Sequence, residues 1–107
     1  MKVSDPDDEE KKKRFSSNET VNNAMNIIRS DHADILNQKI EFSGNNVPQA
    51  RKKIFKAFKL ANIVTWKDLI DYHYAYDIRN LRGFGTYCYM SLAHLLCQTF
   101  MIEEIYK

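Results

Sequence analysis

Glycine, proline and cysteine are all scarce in this sequence of 107 residues, which contains three glycines, two prolines and two cysteines. The scarcity of glycine and proline excludes collagen-like and mucin-like chains. Cys88 and Cys97 lie nine residues apart, a spacing that matches neither a metal-binding Cys-x-x-Cys pair nor a disulfide framework. We therefore expect both cysteines to be reduced and buried in the core.

Long apolar runs are also missing. The longest stretch without Asp, Glu, Lys or Arg, residues 83–102, is interrupted by polar side chains, whereas a membrane-spanning helix needs about 20 mostly apolar residues. No apolar segment follows Lys2 at the N-terminus, so no secretory signal is predicted. These two absences predict a cytoplasmic protein without a membrane partner.

Catalytic and metal-binding patterns are lacking as well. His32, His73 and His94 are scattered along the chain, and neither a Gly-x-Ser-x-Gly elbow nor a Gly-x-x-x-x-Gly-Lys-Ser/Thr loop occurs. We expect each histidine to be at the surface or half-buried. The sequence therefore predicts no enzyme, no cofactor and no metal site.

The residues that are present suit one domain with a modest core, since 44% are hydrophobic and 28% are charged. Residues 1–14 include five acidic residues and then four consecutive basic ones, with almost nothing apolar, a composition typical of disorder. We predict a disordered charged tail over residues 1–15, helix and loop over residues 16–46, and a main helical bundle over residues 47–107.

Apolar residues recur mostly at three- and four-residue steps, which indicates helices. A Ser-x-x-Glu capping box at Ser16 predicts a helix over residues 17–29, with a continuation or a second helix to Ile40. Pro48 begins a helix that ends near Ala61, and a Thr-x-x-Asp cap at Thr65 begins one over residues 66–74. A short turn and a last long helix from residue 86 or 87 follow. The predicted fold is an all-α bundle of four to five helices, and the N-terminal helix packs either on this bundle or on a second copy.

Charge is distributed unevenly, because residues 42–67 contain six basic residues and no acidic one. Helical spacing places Lys52, Lys53, Lys56 and Lys59 on the face opposite the apolar residues of their helix. A lysine stripe of this kind is either a solvated face that keeps the protein soluble or a surface that neutralises phosphates.

A second candidate feature is the sequence Leu81-Arg82-Gly83-Phe84-Gly85, in which two glycines bracket one apolar residue between helices. This pattern is typical of a helix-hairpin-helix turn, which exposes backbone N–H groups at the start of the following helix. The alternative is a tight interhelical turn without a ligand.

Residues 51–96 resemble the C-terminal domain of the bacterial RNA polymerase alpha subunit. The similarity rests on Ala61-Asn62-Ile63-Val64-Thr65-Trp66-Lys67-Asp68-Leu69-Ile70 and on Leu81-Arg82-Gly83-Phe84-Gly85 with its following leucines. The resemblance implies a compact bundle around a helix-hairpin-helix that contacts the DNA minor groove and touches transcription activators.

The resemblance also implies positions for the contacts. The DNA-contacting arginine and asparagine of the family fall at Lys53 and Lys56, and the hairpin glycine falls at Gly85. The family's phosphate-contacting lysine and serine fall at Tyr87 and Cys88, where this sequence departs from the pattern. Tyr87 is instead suited to stacking on an exposed base, as in single-strand binding.

These features predict a non-enzymatic nucleic-acid-binding module, a DNA-binding accessory or transcription-related protein. Its partner would be DNA, with single-stranded DNA or RNA as alternatives, and RNA polymerase or a transcription regulator is a further candidate. The predicted contact residues are Lys52, Lys53, Lys56, Lys59, Arg82, Gly83, Gly85, Thr86 and Tyr87. The alternative is a protein-interaction module of the same fold, which presents Tyr72, Tyr74, Tyr76 and the N-terminal helix to a partner.

Overall fold

A computed structural model describes residues 14–44 and 47–107, and the predicted disordered tail falls almost entirely outside these residues. The described chain contains four α-helices: α1 (Ser17–Asp31), α2 (Pro48–Leu60), α3 (Trp66–Tyr76) and α4 (Thr86–Phe100). Two 3-10 turns lie between them, Ala33–Ile35 and Ile78–Asn80. The extended pairing in this part of the chain consists of two isolated bridges. The all-α prediction is confirmed.

The helix starts follow local capping signals. Thr65 forms the predicted capping box, because its Oγ1 accepts from the Asp68 N–H at 3.2 Å while the Asp68 carboxylate accepts from the Thr65 N–H at 3.1 Å. The Ser16 box is only half formed. Ser16 Oγ accepts from the Glu19 N–H at 3.4 Å, but the Ser16 N–H donates to the Ile105 carbonyl at 2.7 Å. The Ile105 carbonyl of the C-terminal segment therefore accepts the hydrogen bond from the Ser16 N–H that the Glu19 side chain would accept in a complete capping box.

The segment after α1 differs from the expected continuation of helix. After the turn at Ala33–Ile35 the chain runs extended beside the start of α3. The Ile40 N–H donates to the Val64 carbonyl at 3.0 Å, and the Trp66 N–H donates to the Gln38 carbonyl at 3.2 Å. These tertiary hydrogen bonds satisfy backbone groups that a continued helix would have paired internally.

Helix α4 is the centre of the bundle, with α1 and α2 both packed against it. Its Leu92, Leu95 and Leu96 are fully buried, as are Met25 of α1 and Phe58 of α2. These leucines form the core face of α4. Cys88 and Cys97 are free and buried in the same helix, as expected.

A row of asparagines joins α1 to the rest of the bundle. His73 is buried, not at the surface or half-buried as expected, and its Nε2 lies 2.6 Å from Asn22 Oδ1. Asn18 Oδ1 accepts from the Tyr89 hydroxyl at 3.1 Å. One turn further along, Asn26 accepts from the Tyr74 hydroxyl. The structure thus packs the N-terminal helix on its own bundle, on α3 and α4.

Candidate nucleic-acid interface

Two of the predicted lysines face the glycine turn across a shallow depression of about 230 Å³. Lys53, Lys56 and Leu60 lie on one side of it because residues i, i+3 and i+7 of a helix share a face. Arg82 and Gly83 form the opposite side. The fold therefore brings together two basic segments that are separated by about 25 residues in the sequence.

Gly83 shapes this turn through its backbone. Its φ is +79°, a left-handed conformation that glycine adopts without steric cost. A Cβ at this position would meet nothing within 4 Å, so the backbone of the turn lies open beside Arg82. A ligand can approach the turn closely at this point.

The positive charges of the depression are not neutralised within the described part of the chain. The ion pairs among the described residues use other cations: Lys67 with Asp71, Arg79 with Asp77, His94 with Glu104, and Lys107 with Glu19. Lys53, Lys56 and Arg82 are all exposed and take part in none of them. An incoming anion would thus displace no carboxylate of the residues that the structure describes.

Lys52 and Lys59 extend the basic surface along α2 without lining this depression. Both are exposed. Lys59 borders a different hollow, together with Phe55 and Val64. The predicted lysine stripe is confirmed as an exposed face of α2, wider than the depression itself.

Gly85 and Thr86, at the start of α4, lie in a separate depression of about 400 Å³ beside Arg79 and Asn18. The Arg79 guanidinium donates to the Asp77 carboxylate at 2.6 and 3.1 Å, and this ion pair holds the pKa of Asp77 below its usual value. Tyr87 is 56% exposed and lines neither depression. The structure therefore does not group these three predicted residues with Lys53 and Arg82.

An apolar hollow of about 490 Å³ adjoins the basic depression and shares Ala57, Leu60 and Arg82 with it. Tyr72, Ala61 and Leu81 complete its lining. Sequence reasoning did not single out Leu60, although its spacing from Lys53 and Lys56 placed it on the same face of α2. The position of Tyr72 in the lining of this hollow depends on how α3 packs against the bundle, and no local sequence pattern predicts that packing.

The three tyrosines of α3 have different surroundings. The Tyr74 hydroxyl donates to Asn26, and the Arg29 guanidinium lies 4.6 Å from the centre of the Tyr74 ring. Tyr72 is half-buried, and its ring centre lies 5.2 Å from that of Tyr76, which is 66% exposed. Tyr74 is thus occupied by α1, while Tyr72 and Tyr76 form a small aromatic surface.

Another depression, of about 580 Å³, is lined in part by Cys97, His94 and Glu104. Burial and the nearby negative charge of Glu104 raise the pKa of the Cys97 thiol to about 11. The thiol is therefore protonated at neutral pH, whereas the thiolate is the reactive form.

Among residues 14–44 and 47–107, no three His, Cys, Asp or Glu side chains cluster closely enough to bind a metal ion. None of the described helices has the length and hydrophobicity needed to cross a bilayer.

Comparisons with protein families, curated proteins and solved structures found no match to this chain. The resemblance to the polymerase alpha C-terminal domain thus stays a prediction from the sequence.

Proposed function

We propose that this protein binds nucleic acid without catalysing a reaction, through the depression formed by Lys53, Lys56, Arg82 and Gly83. The observation that carries the proposal is the convergence on one open surface of three cations from two chain segments, none of which forms an ion pair with another described residue. Phosphate contacts from lysine and arginine supply most of the affinity in binding that does not depend on base sequence.

Each side chain has a distinct part in this proposal. Lys53 and Lys56 act as mobile point charges, while the planar guanidinium of Arg82 can donate two parallel hydrogen bonds to one phosphate. Gly83 keeps the turn free of side-chain bulk beside them. Lys52 and Lys59 raise the positive potential along the same helix and accelerate encounter with a polyanion.

The resemblance to the polymerase alpha C-terminal domain supports the same surface, because its DNA-contacting positions fall at Lys53 and Lys56. It also supports a transcription-related role, with RNA polymerase or a transcription regulator as a further partner. The position of Tyr87 outside the depression assigns that residue no contact in this proposal.

Fluorescence anisotropy with a labelled oligonucleotide tests the proposal. The double variant Lys53→Glu/Lys56→Glu reverses two charges of the depression and should abolish binding. The matched control Arg29→Glu/Lys67→Glu makes the same change in net charge at exposed positions outside the depression and should retain binding. Equal loss in both double variants would show that net charge alone governs binding and would refute the site.

The salt dependence gives an independent measure of the number of contacts. Three phosphate contacts predict a slope of about −2 to −3 for log affinity against log salt concentration. Affinity that does not change with salt would contradict a phosphate-contacting mechanism.

A further inference from the structure

The basic depression and the apolar hollow lie side by side between α2 and the turn before α4, and together they are called the groove below. Ala57, Leu60 and Arg82 line both parts. Lys53 and Lys56 lie only at one end, and Tyr72 lies only at the other. A ligand that spans both parts can place a negative charge beside Lys53 and Lys56 and a flat group beside Tyr72.

The end beside Tyr72 has fewer charged side chains than the end formed by Lys53, Lys56 and Arg82. Apart from Arg82, its lining consists of Tyr72 and the aliphatic residues Ala57, Leu60, Ala61 and Leu81. Leu60 is 70% exposed, so this end presents apolar surface to solvent. A duplex offers phosphates and sugars to such a groove while its base faces stay stacked inside. A single strand offers both phosphates and base faces.

Aromatic and guanidinium groups are the usual platforms for unpaired bases. Tyr72 supplies a half-buried ring that is held in place by the core, and the ring of Tyr76 lies against it. Arg82 borders both ends of the groove, so its guanidinium can contact a phosphate or lie along the adjoining base.

From this juxtaposition we infer that the groove binds single-stranded nucleic acid, with a phosphate at the end formed by Lys53, Lys56 and Arg82 and a base against Tyr72 and Leu60. The inference rests on the proposed function, because it assigns the class of nucleic acid that the same surface takes. It replaces Tyr87, the residue expected from the sequence, by Tyr72 as the stacking residue.

Three labelled probes of equal length separate the contributions of phosphate and base: an oligothymidylate, an abasic oligonucleotide with the same phosphates, and a duplex. Anisotropy titrations at low salt should give the tightest binding for oligothymidylate and weaker binding for both the abasic strand and the duplex. Equal affinity for oligothymidylate and the abasic strand would overturn the base contact and leave the proposed phosphate contacts in place. Absence of binding to all three probes would instead overturn the proposed function.

The variant Tyr72→Leu removes the ring and keeps an apolar side chain of similar packing character. It should weaken oligothymidylate binding roughly 5- to 150-fold, the range typical of one lost base stack, and leave abasic binding unchanged. Tyr74→Leu is the control, since Tyr74 lies on the same helix but contacts α1. Equal effects of the two variants on oligothymidylate binding would contradict the inference.

Leu60→Asn provides a test that does not depend on the core, because Leu60 is largely exposed. This variant should weaken oligothymidylate binding and leave abasic binding unchanged. An unchanged preference for oligothymidylate in both Leu60→Asn and folded Tyr72→Leu would place the base elsewhere and refute the inference.

Discussion

Replacing Asn22 by alanine probes the contact that docks α1 on α3. His73 is only 8% exposed, and its two ring nitrogens have different partners. The backbone N–H of Ile78 donates to Nδ1 at 3.3 Å, so Nε2 carries the proton and donates to Asn22 Oδ1 at 2.6 Å. Asn22→Ala removes this acceptor and leaves a largely buried N–H without a protein partner.

The expected loss of stability in Asn22→Ala depends on how deeply the two hydrogen-bonding partners, His73 and Asn22, are buried. A buried donor left unsatisfied costs roughly 1–3 kcal/mol. Asn22 is itself exposed, so water can reach part of the vacated space and the lower half of that range applies. Alanine also favours the helix over asparagine, by about 0.5 kcal/mol. We expect a net destabilisation of about 1 kcal/mol, or a decrease of about 4–8 °C in Tm for a domain of this size.

Asn26→Ala is the matched control on the same face of α1. It gains the same helix propensity but loses only hydrogen bonds from two exposed donors, the Tyr74 hydroxyl and the Arg29 guanidinium, which water can replace. Urea unfolding followed by circular dichroism at pH 7.5 should give a lower free energy of unfolding for Asn22→Ala than for Asn26→Ala. Equal unfolding midpoints for the two variants would refute the docking role of the Asn22–His73 contact.

Three further predictions concern ionisation and the glycine turn. Burial lowers the pKa of His73 below 6.5, against a smaller opposing effect of Asp77, so the unfolded chain binds this proton more readily than the native protein. The stability gained by keeping His73 neutral in the native protein is fully present above pH 6.5 and decreases as the pH falls below it. The difference in urea unfolding midpoint between the wild type and His73→Gln should therefore change between pH 7.5 and pH 5, and a constant difference would contradict this. Burial and Glu104 raise the pKa of Cys97 to about 11, so Cys97 should react with iodoacetamide at pH 7.5 much more slowly in the native protein than in urea. Peptide mass spectrometry measures both rates, and equal rates would be inconsistent with the burial of Cys97. Gly83→Ala should cost about 1 kcal/mol in unfolding free energy from its positive φ alone, and an unchanged urea midpoint would count against the left-handed turn.

Local signals explain most of what the sequence predicted correctly. The cap at Thr65 and the proline at Pro48 act on the first turn of a helix, so they are readable without tertiary information. The capping box at Ser16 was only half correct, because the Ser16 N–H pairs with Ile105 across the bundle. The extended stretch containing Ile40 was missed for the same reason, since its hydrogen bonds come from a distant segment.

The types of residue in the candidate site could be predicted from the sequence, but which of these residues lie close together could not. The stripe on α2 follows from helical periodicity, and Lys53 and Lys56 lie where that period places them. Their proximity to Arg82, and the position of Gly85 in a different depression, depend on the path of the turn. That path is a tertiary property, because the left-handed φ of Gly83 and the packing of α4 set it together.

The most direct test of the account is the salt-dependent binding of a labelled single strand to the wild-type protein and to the two double charge variants. We predict dissociation constants of roughly 10⁻⁶ to 10⁻⁴ M for the wild type, weakening with salt. Binding should be lost in Lys53→Glu/Lys56→Glu and kept in Arg29→Glu/Lys67→Glu. No binding by the wild type at low salt, or equal binding by both double variants, would contradict the central claim that this depression contacts nucleic acid.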